Sequence, residues 1–391
     1  MSRFLFVVIP ERGHVHPYLG PAACLRARGH EVVIYAEGPL EPVLEPQGLP
    51  RWPPTDPAPE ARHAGAEFSA RVRDHAWLRQ WVAGVLLDGV EAQVPRIEAA
   101  IAALRPDALV LDPMVYAGAI AAHRTGLPWA AVSNSLNPVL PDDLDSELLR
   151  TVAWLSPRRA ARFEAHGMAP RFRGCDLLSP TLTVCFSSRA LVGEPPPGVH
   201  LVGASLPLHP REPPSGIDWG VGRSRPRVLM SLGSQVYHQP RMFQTVIEAL
   251  RELPVELVAS VGELDPASLG PWPPGAIVRP WLPQLEVLAR CDAMITHGGA
   301  NSVMEALAHD VPVLVSPICN DQFHQAKLVA RAGLGSTLDL HTATAEQCRA
   351  AVRALLSPEQ RARVVGCLPR DGAQRCCDLL ERWAARASGA R

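Results

Sequence analysis

Short apolar runs of strand length alternate with helix-length patterns from one end of this chain to the other. That alternation predicts parallel sheets flanked by helices, because parallel strands need a crossover between them. In the first half, strands are expected at 4–10, 31–36, 108–112, 129–133, 182–186 and 200–203. In the second half they are expected at 228–232, 256–261, 276–280, 293–296 and 311–316. Between the halves, "LPLHPREPPSGIDWGVGRSRPR" is rich in Pro and Gly and has no apolar periodicity, the mark of a linker. At 391 residues the chain suits two domains. The expected organisation is a Rossmann-like domain at 1–204, a linker at 205–225, a second Rossmann-like domain at 226–370 and a C-terminal helix at 371–391, whose packing partner the sequence leaves open, the first domain among the candidates. Ligands in doubly wound sheets bind outside the carboxyl ends of the strands, so two such domains are expected to face each other across a cleft.

Several function classes are excluded by composition. A net charge of −1 gives no electrostatic footprint for nucleic acid or an anionic membrane. No apolar stretch reaches the roughly 20 residues of a membrane helix, and the opening "MSRFLFVVIPERG" reads as a first strand rather than a signal peptide. Nine scattered cysteines without a C-x-x-C pair fit reduced thiols and a cytoplasmic location. Lys327, in "HQAKLVA", is the only lysine, so a Walker P-loop is absent and no other residue could form a lysine Schiff base.

One turn stands out. In "AMITHGGANSVMEAL" a strand runs into His297, two glycines and a helix beginning near Asn301. Gly298 and Gly299 permit close approach to the backbone, and Asn301 and Ser302 either cap the helix or offer donors outward. With the unsatisfied amides and the positive end of the helix dipole, the turn suits a phosphate or diphosphate. Taken alone it reads equally as a tight, well-capped strand–helix turn. Its neighbours decide between the two. Upstream, Trp281-Leu282-Pro-Gln284 follows a strand, where an aromatic ring stacks on a base and Gln284 bonds base or ribose. Glu305, one helical turn after Ser302, suits ribose hydroxyls, and the Asp321-Gln322 pair in "VPVLVSPICNDQ" suits vicinal sugar hydroxyls.

Together, Trp281-x-Pro-Gln284, His297-Gly-Gly299-Ala-Asn301-Ser302, Glu305, Asp310-Val-Pro-Val-x-x-x-Pro317 and Asp321-Gln322 resemble the donor signature of GT-B nucleotide-sugar glycosyltransferases. The matching family is that of plant secondary-product and bacterial antibiotic and macrolide glycosyltransferases. The resemblance spans about forty residues with many fixed positions. It implies Trp281 on uracil or thymine, Glu305 on ribose, and His297, Asn301 and Ser302 on the diphosphate. Asp321 and Gln322 would hold the sugar. Ser234, in "LMSLGS", matches a family Ser or Thr that helps hold the phosphates; by residues alone it is an ordinary strand-end turn.

The opening "VVIPERGHVHPYLGPAACLRARGHEV" resembles the family's first strand, loop and helix. By residues alone, His14 is either a structural hydrogen-bonder or a base, and Asp112 in "ALVLDP" is either a strand-end cap or a partner for it. The resemblance implies that His14 takes the proton of an acceptor hydroxyl, a task suited to imidazole near neutral pH. Asp112 would then fix its tautomer and stabilise the imidazolium. His16 departs from the small polar residue usual in the family and stands as a rival base or an acceptor contact. His14-Val-His16 lacks a third ligand nearby, so no metal is expected. His238 and His324 are expected to pack, or to border the donor site.

Aromatic residues Trp52, Phe68, Trp77 and Trp81 lie in a stretch without strand signal; Met114, Tyr116, Trp154 and Phe163 lie farther on. Any one of them reads as ordinary packing, but together they suit an apolar acceptor, with His16, Trp81, Met114 and Tyr116 as its expected contacts and 53–93 as the specificity segment. The expected activity is an inverting, metal-independent transfer of a hexose, glucose first, from a UDP- or dTDP-sugar to a small-molecule hydroxyl, without cofactor. The expected state is monomer or homodimer. Two rivals share the architecture: a sugar-nucleotide epimerase, and a non-catalytic activator of another transferase. The second would be expected to lose signature residues, and here they are present.

Overall fold

A computed structural model of the chain describes residues 1–52, 65–220 and 225–389. It divides into two compact units, described here separately. The first comprises Met1–Ala61, His75–Arg211 and Pro369–Arg391; the second comprises Arg62–Asp74 and Glu212–Leu368. The linker segment therefore divides between the units after Arg211, and a short stretch before the helix His75–Leu87 groups with the second unit.

In the first unit the strands are β1 (Arg3–Val7), β2 (Glu31–Tyr35), β3 (Arg51–Trp52), β4 (Ala108–Leu111), β5 (Trp129–Ser133), β6 (Arg171–Arg173), β7 (Asp176–Leu178), β8 (Thr183–Cys185) and β9 (Val199–Leu201). Among the described residues, seven of them form one parallel sheet in the order β3-β2-β1-β4-β5-β8-β9, while β6 and β7 make a separate antiparallel pair. The near-continuous apolar strands are covered on both faces, as parallel sheets require. Leu5 and Val7 join the cluster that includes Leu86, Ile97, Ile120 and Leu155, whereas Phe6 on the opposite face meets Tyr18 edge-on at 6.2 Å.

The helix Arg12–Ala27 carries Pro17 and Pro21 in its interior. Pro21 has no N–H for the carbonyl of Pro17; Ser205 Oγ donates to that oxygen instead, at 2.5 Å. The chain beyond β9 lies so close that a Cβ at Gly20 would stand 2.3 Å from Leu206 O. The helix Gly372–Gly389 packs along the helix Arg12–Ala27, burying Cys24, Cys376 and Cys377. Arg28 donates to Asp378 and Glu381 at their edge.

The second unit has β10 (Arg227–Ser231), β11 (Glu256–Ser260), β12 (Ile277–Arg279), β13 (Ala293–Thr296), β14 (Val313–Val315) and β15 (Gly335–Thr337). Among the described residues they form a parallel sheet ordered β12-β11-β10-β13-β14-β15. Both sheets are doubly wound, with an order reversal beside their first strand: between β1 and β4 in one, between β10 and β13 in the other. Such a reversal opens a crevice at the strand ends.

The structure adds strands that the apolar pattern did not reveal. Trp52 lies in β3, a two-residue strand paired to Ile34 and Tyr35, too short to show a period. β15 is an edge strand of Gly, Ser and Thr, where a Cβ at Gly335 would stand 2.1 Å from Val313 O. The β6–β7 pair turns through Gly174, whose φ is +56°.

Candidate active site

In the first unit the reversal sets the ends of β1 and β4 side by side, in register Val7 to Leu111. Asp112 follows directly and its N–H donates to Val7 O at 2.9 Å. The loop after β1 leads into the helix Arg12–Ala27, which puts His14 in its first turn. The outcome is an imidazole–carboxylate pair: His14 Nδ1 stands 2.6 Å from Asp112 Oδ2. Asp112 is fully buried, whereas the His14 side chain keeps 21% of its surface exposed. Asp112 Oδ1 accepts from Met114 N at 3.0 Å, which fixes the carboxylate plane. A buried carboxylate holding Nδ1–H selects the tautomer whose Nε2 lone pair can take a proton.

Asn134, which sequence reasoning missed, completes this corner. It follows β5 directly, with Nδ2 2.7 Å from His14 Nδ1 and 3.3 Å from Asp112 Oδ2. Nδ1 cannot both donate to Asp112 and accept from the amide. With the proton given to the carboxylate, the Asn134 NH2 goes to Asp112 and its amide steadies the pair from the side. No motif in the sequence marks it; the only signal is its place directly after a predicted strand.

His16 is not brought to Asp112. Two residues on, it occupies another face of the helix, and burial, with the charges of Arg211 and Arg12, holds it well below the ordinary imidazole value. Tyr116 is corrected outright. It is buried to 1%, its hydroxyl donates to Cys175 O at 2.7 Å, and its ring packs edge-on against Phe163 and Phe172, so it is core and not an acceptor contact. Phe163 is likewise fully buried. Trp81 and Met114 are partly buried against the same core, Trp81 stacking on Trp77 with ring centroids 6.4 Å apart. Trp154 stands 43% exposed and Phe68 is buried. Of the expected specificity segment 53–93, residues 53–64 lie outside the described residues.

In the second unit β10 and β13 end side by side, Ser231 opposite Thr296. The turns after them meet around His297. A Cβ at Gly233 would lie 2.6 Å from His297 Cε1, and one at Gly299 2.6 Å from His297 Nε2. The imidazole is thus held between two glycines. Gly298, at φ +89°, lies where a Cβ would stand 2.5 Å from Val315 Cγ1. The glycines therefore make room first for the protein's own His297 and Val315. Burial, opposed by a hydrogen bond to the Ser231 backbone, pushes the His297 pKa down to about 4. His297 is thus neutral near pH 7 and can contribute a hydrogen bond rather than a positive charge.

The helix Ala300–Ala308 begins directly after, with Gly299 at its N-cap and no capping side chain. Asn301 and Ser302 lie inside its first turn, so of the two readings the sequence left open, neither residue is the N-cap. Ser234 is half-buried in the turn after β10. Glu305 is 2% exposed and accepts from Gln284 Nε2 at 2.7 Å, tying the segment after β12 to this helix. Trp281 and half-buried Leu282 precede Gln284. Trp281 is 47% exposed, and its ring stands nearly perpendicular to that of Tyr237 with centroids 5.4 Å apart.

The Asp321-Gln322 pair is not an open fork. Gln322 is buried, and its Oε1 accepts from the amides of Ile318 and Cys319 at 2.9 and 3.1 Å. Asp321 accepts from Gln325 Nε2 at 2.7 Å. His324 is buried, and burial with the nearby charge of Lys327 pushes its pKa down to about 4. His238 is half-buried in the turn after β10. Among the described residues no three His, Cys, Asp or Glu side chains are grouped to hold a metal ion, and no helix is long and apolar enough to cross a membrane.

Two doubly wound units, one with a His–Asp pair at its reversal and the other with a glycine-flanked helix terminus beside an exposed tryptophan, define the GT-B class of nucleotide-sugar glycosyltransferases. Residues 219–368 match the family model described as "UDP-glucoronosyl and UDP-glucosyl transferase". Elloramycin glycosyltransferase ElmGT of Streptomyces olivaceus is 30% identical over 351 residues, covering 85% of each chain. Oleandomycin glycosyltransferase of Streptomyces antibioticus is 29% identical over 406 residues, covering 95% of this chain and 89% of its own. The crystal structure of the kitacinnamycin glycotransferase superposes with a TM-score of 0.75 at 27% identity, covering 98% of both chains. The chain belongs to this family of antibiotic and macrolide glycosyltransferases, enzymes that take their glycosyl group from a nucleotide sugar.

Proposed function

We propose that the protein is an inverting, metal-independent hexosyltransferase, acting on a hydroxyl of a small apolar natural product with a UDP- or dTDP-hexose, glucose first, as donor. The observation that carries this reading is the 2.6 Å contact between His14 and the buried Asp112. The acceptor O–H gives its proton to His14 Nε2 while its oxygen attacks the anomeric carbon. The bond from that carbon to the diphosphate oxygen breaks, and the nucleoside diphosphate leaves with the electron pair. Asp112 stabilises the imidazolium that results. The charge growing on the diphosphate meets the amides at 299–302, the neutral His297 and the helix dipole, donors arranged before the reaction starts. Trp281 stacks on the base, Glu305 and Gln284 hold the ribose, Ser234 supports the phosphates and Asp321 contacts the sugar. Gln322 shapes the 318–321 turn around that sugar, its own oxygen being committed to the backbone.

The names of two relatives carry antibiotics, oleandomycin and elloramycin, which supports an apolar natural-product acceptor. Trp81, Met114 and His16 are proposed acceptor contacts. We further propose residues 1–204 as the acceptor-binding part and 226–370 as the donor-binding part of a cytoplasmic monomer or homodimer. The test is a mass-spectrometric screen of the purified chain against UDP- and dTDP-hexoses and a panel of polyketide and phenolic aglycones, with and without chelator. A hexose-sized addition that survives chelation is expected. Epimerised sugar nucleotide without acceptor, or transfer only with a divalent metal, would overturn the reading.

A further inference from the structure

Within electrostatic reach of the His14–Asp112 pair lies a second carboxylate that the reaction above does not use. Asp176 opens β7 and is fully buried. Three side chains converge on it from one stretch of the β5 end. Ser133 Oγ donates to Asp176 Oδ2, Asn137 Nδ2 donates to Oδ1 at 2.7 Å, and Ser135 Oγ lies 3.3 and 3.4 Å from the two oxygens. The stretch is tightened further, since Ser135 N donates to Ser133 Oγ and Asn137 N to Ser135 Oγ.

Residues 133, 135 and 137 thus face the carboxylate, and the residue between the first two faces the other way. That residue is Asn134, the one whose amide reaches His14 and Asp112. We propose that Asp176 is a positioning residue: by gathering Ser133, Ser135 and Asn137 it fixes the turn that aims Asn134 at the His14–Asp112 pair. The inference rests on the reading of His14 as the base only for its effect on turnover; the geometry it describes stands apart from that reading.

Two features support the role. A buried carboxylate without a cationic partner is costly, and a fold retains one where it organises a polar network. The cost is visible in Asp176 itself, whose pKa burial pushes up to about 7, opposed by the bonds from Ser133 and Asn137. The charge of Asp112 raises it further and His14 lowers it, so the two carboxylates and the imidazole feel one another.

The test is a double-mutant cycle on the full chain with Asp176→Asn and Asn134→Ala. The first readout needs no acceptor. In protein carrying 15N-labelled histidine, the His14 ring nitrogens, assigned by their loss in His14→Gln, report the tautomer at pH 9. Both substitutions are expected to move these resonances in the same direction, and the double variant no farther than the larger single. The second readout is turnover with the acceptor found in the aglycone screen. Each single variant should lose roughly 10-fold to 10²-fold, the scale of a misplaced catalytic group, the double variant no more than the worse single, with UDP affinity by calorimetry unchanged. His14 resonances in Asp176→Asn that coincide with the wild type, or effects that add, overturn the proposal. Should Asp176→Asn fail to fold, Ser135→Ala replaces it in the cycle with the same expectations. Altered His14 resonances with unchanged turnover would uphold the positioning while removing His14 as the base.

Discussion

His14 Nδ1 and Asp112 Oδ2 lie 2.6 Å apart although 98 positions separate them in the chain, because the sheet order brings the ends of β1 and β4 together. The carboxylate is buried and the imidazole partly exposed, so one member of the pair is held and the other presented.

This relationship makes a kinetic prediction. His14→Ala is expected to depress turnover by roughly 10²–10⁴-fold, with UDP affinity by calorimetry unchanged. Asp112→Asn should fall in the same range, since an amide neither selects the Nδ1–H tautomer nor stabilises the imidazolium. Turnover of His14→Ala equal to wild type removes it as the base.

At Trp281 the exposed indole beside Tyr237 is the proposed platform for a flat base. Trp281→Ala should weaken UDP or dTDP binding by about 1–3 kcal/mol without altering acceptor affinity. Calorimetry with the nucleoside diphosphate alone reads this directly, and an unchanged Kd would move the base elsewhere.

Gly299→Ala tests the imidazole seat. The backbone there has φ −58°, so alanine brings no backbone strain, yet its Cβ would stand 2.6 Å from His297 Nε2. The ring must shift, at about 1–3 kcal/mol of stability for such overpacking. Affinity for UDP should fall more than affinity for uridine, because the displaced ring lies at the expected diphosphate seat. Equal losses for the two ligands would argue against that seat.

The two buried histidines of the second unit predict acid sensitivity. His297 and His324 have folded-state pKa values near 4, below the ordinary imidazole value. A group with a depressed folded pKa contributes stability that is present above its unfolded pKa, near 6.5, and lost as pH falls toward 4. Urea unfolding of the wild type should weaken across that window, and His324→Gln should weaken less. A parallel decline in both proteins would contradict this.

Asp176 carries the opposite sign. Its folded pKa, about 7, is raised, so its contribution is present at acid pH and lost as pH rises from about 4 through 7. Between pH 5 and pH 8 the wild type should therefore lose stability relative to Asp176→Asn. Denaturant titrations at the two pH values measure the difference, and a difference that does not change with pH refutes the raised pKa.

The apolar runs were enough to place the main strands, because a strand buried on both faces must be apolar along its length. They were silent on β3, two residues long, and on β15, which is Gly-Ser-Thr. The donor motif was legible because its members lie within about forty residues of one another. In the other unit, His14 and Asp112 could be named, but their meeting is a property of strand order.

By itself the sequence determined the class of fold, the family and the residue types at each strand end, since periodicity and short-range spacing are local. Tertiary structure alone decided what each side chain is committed to. It turned Tyr116 into core, gave the oxygen of Gln322 to two backbone amides and left His297 neutral between two glycines. It also brought Asn134 and Asp176 to the His14–Asp112 pair. Burial and hydrogen bonding depend on neighbours distant in the chain, and those neighbours are fixed only when the sheet order is.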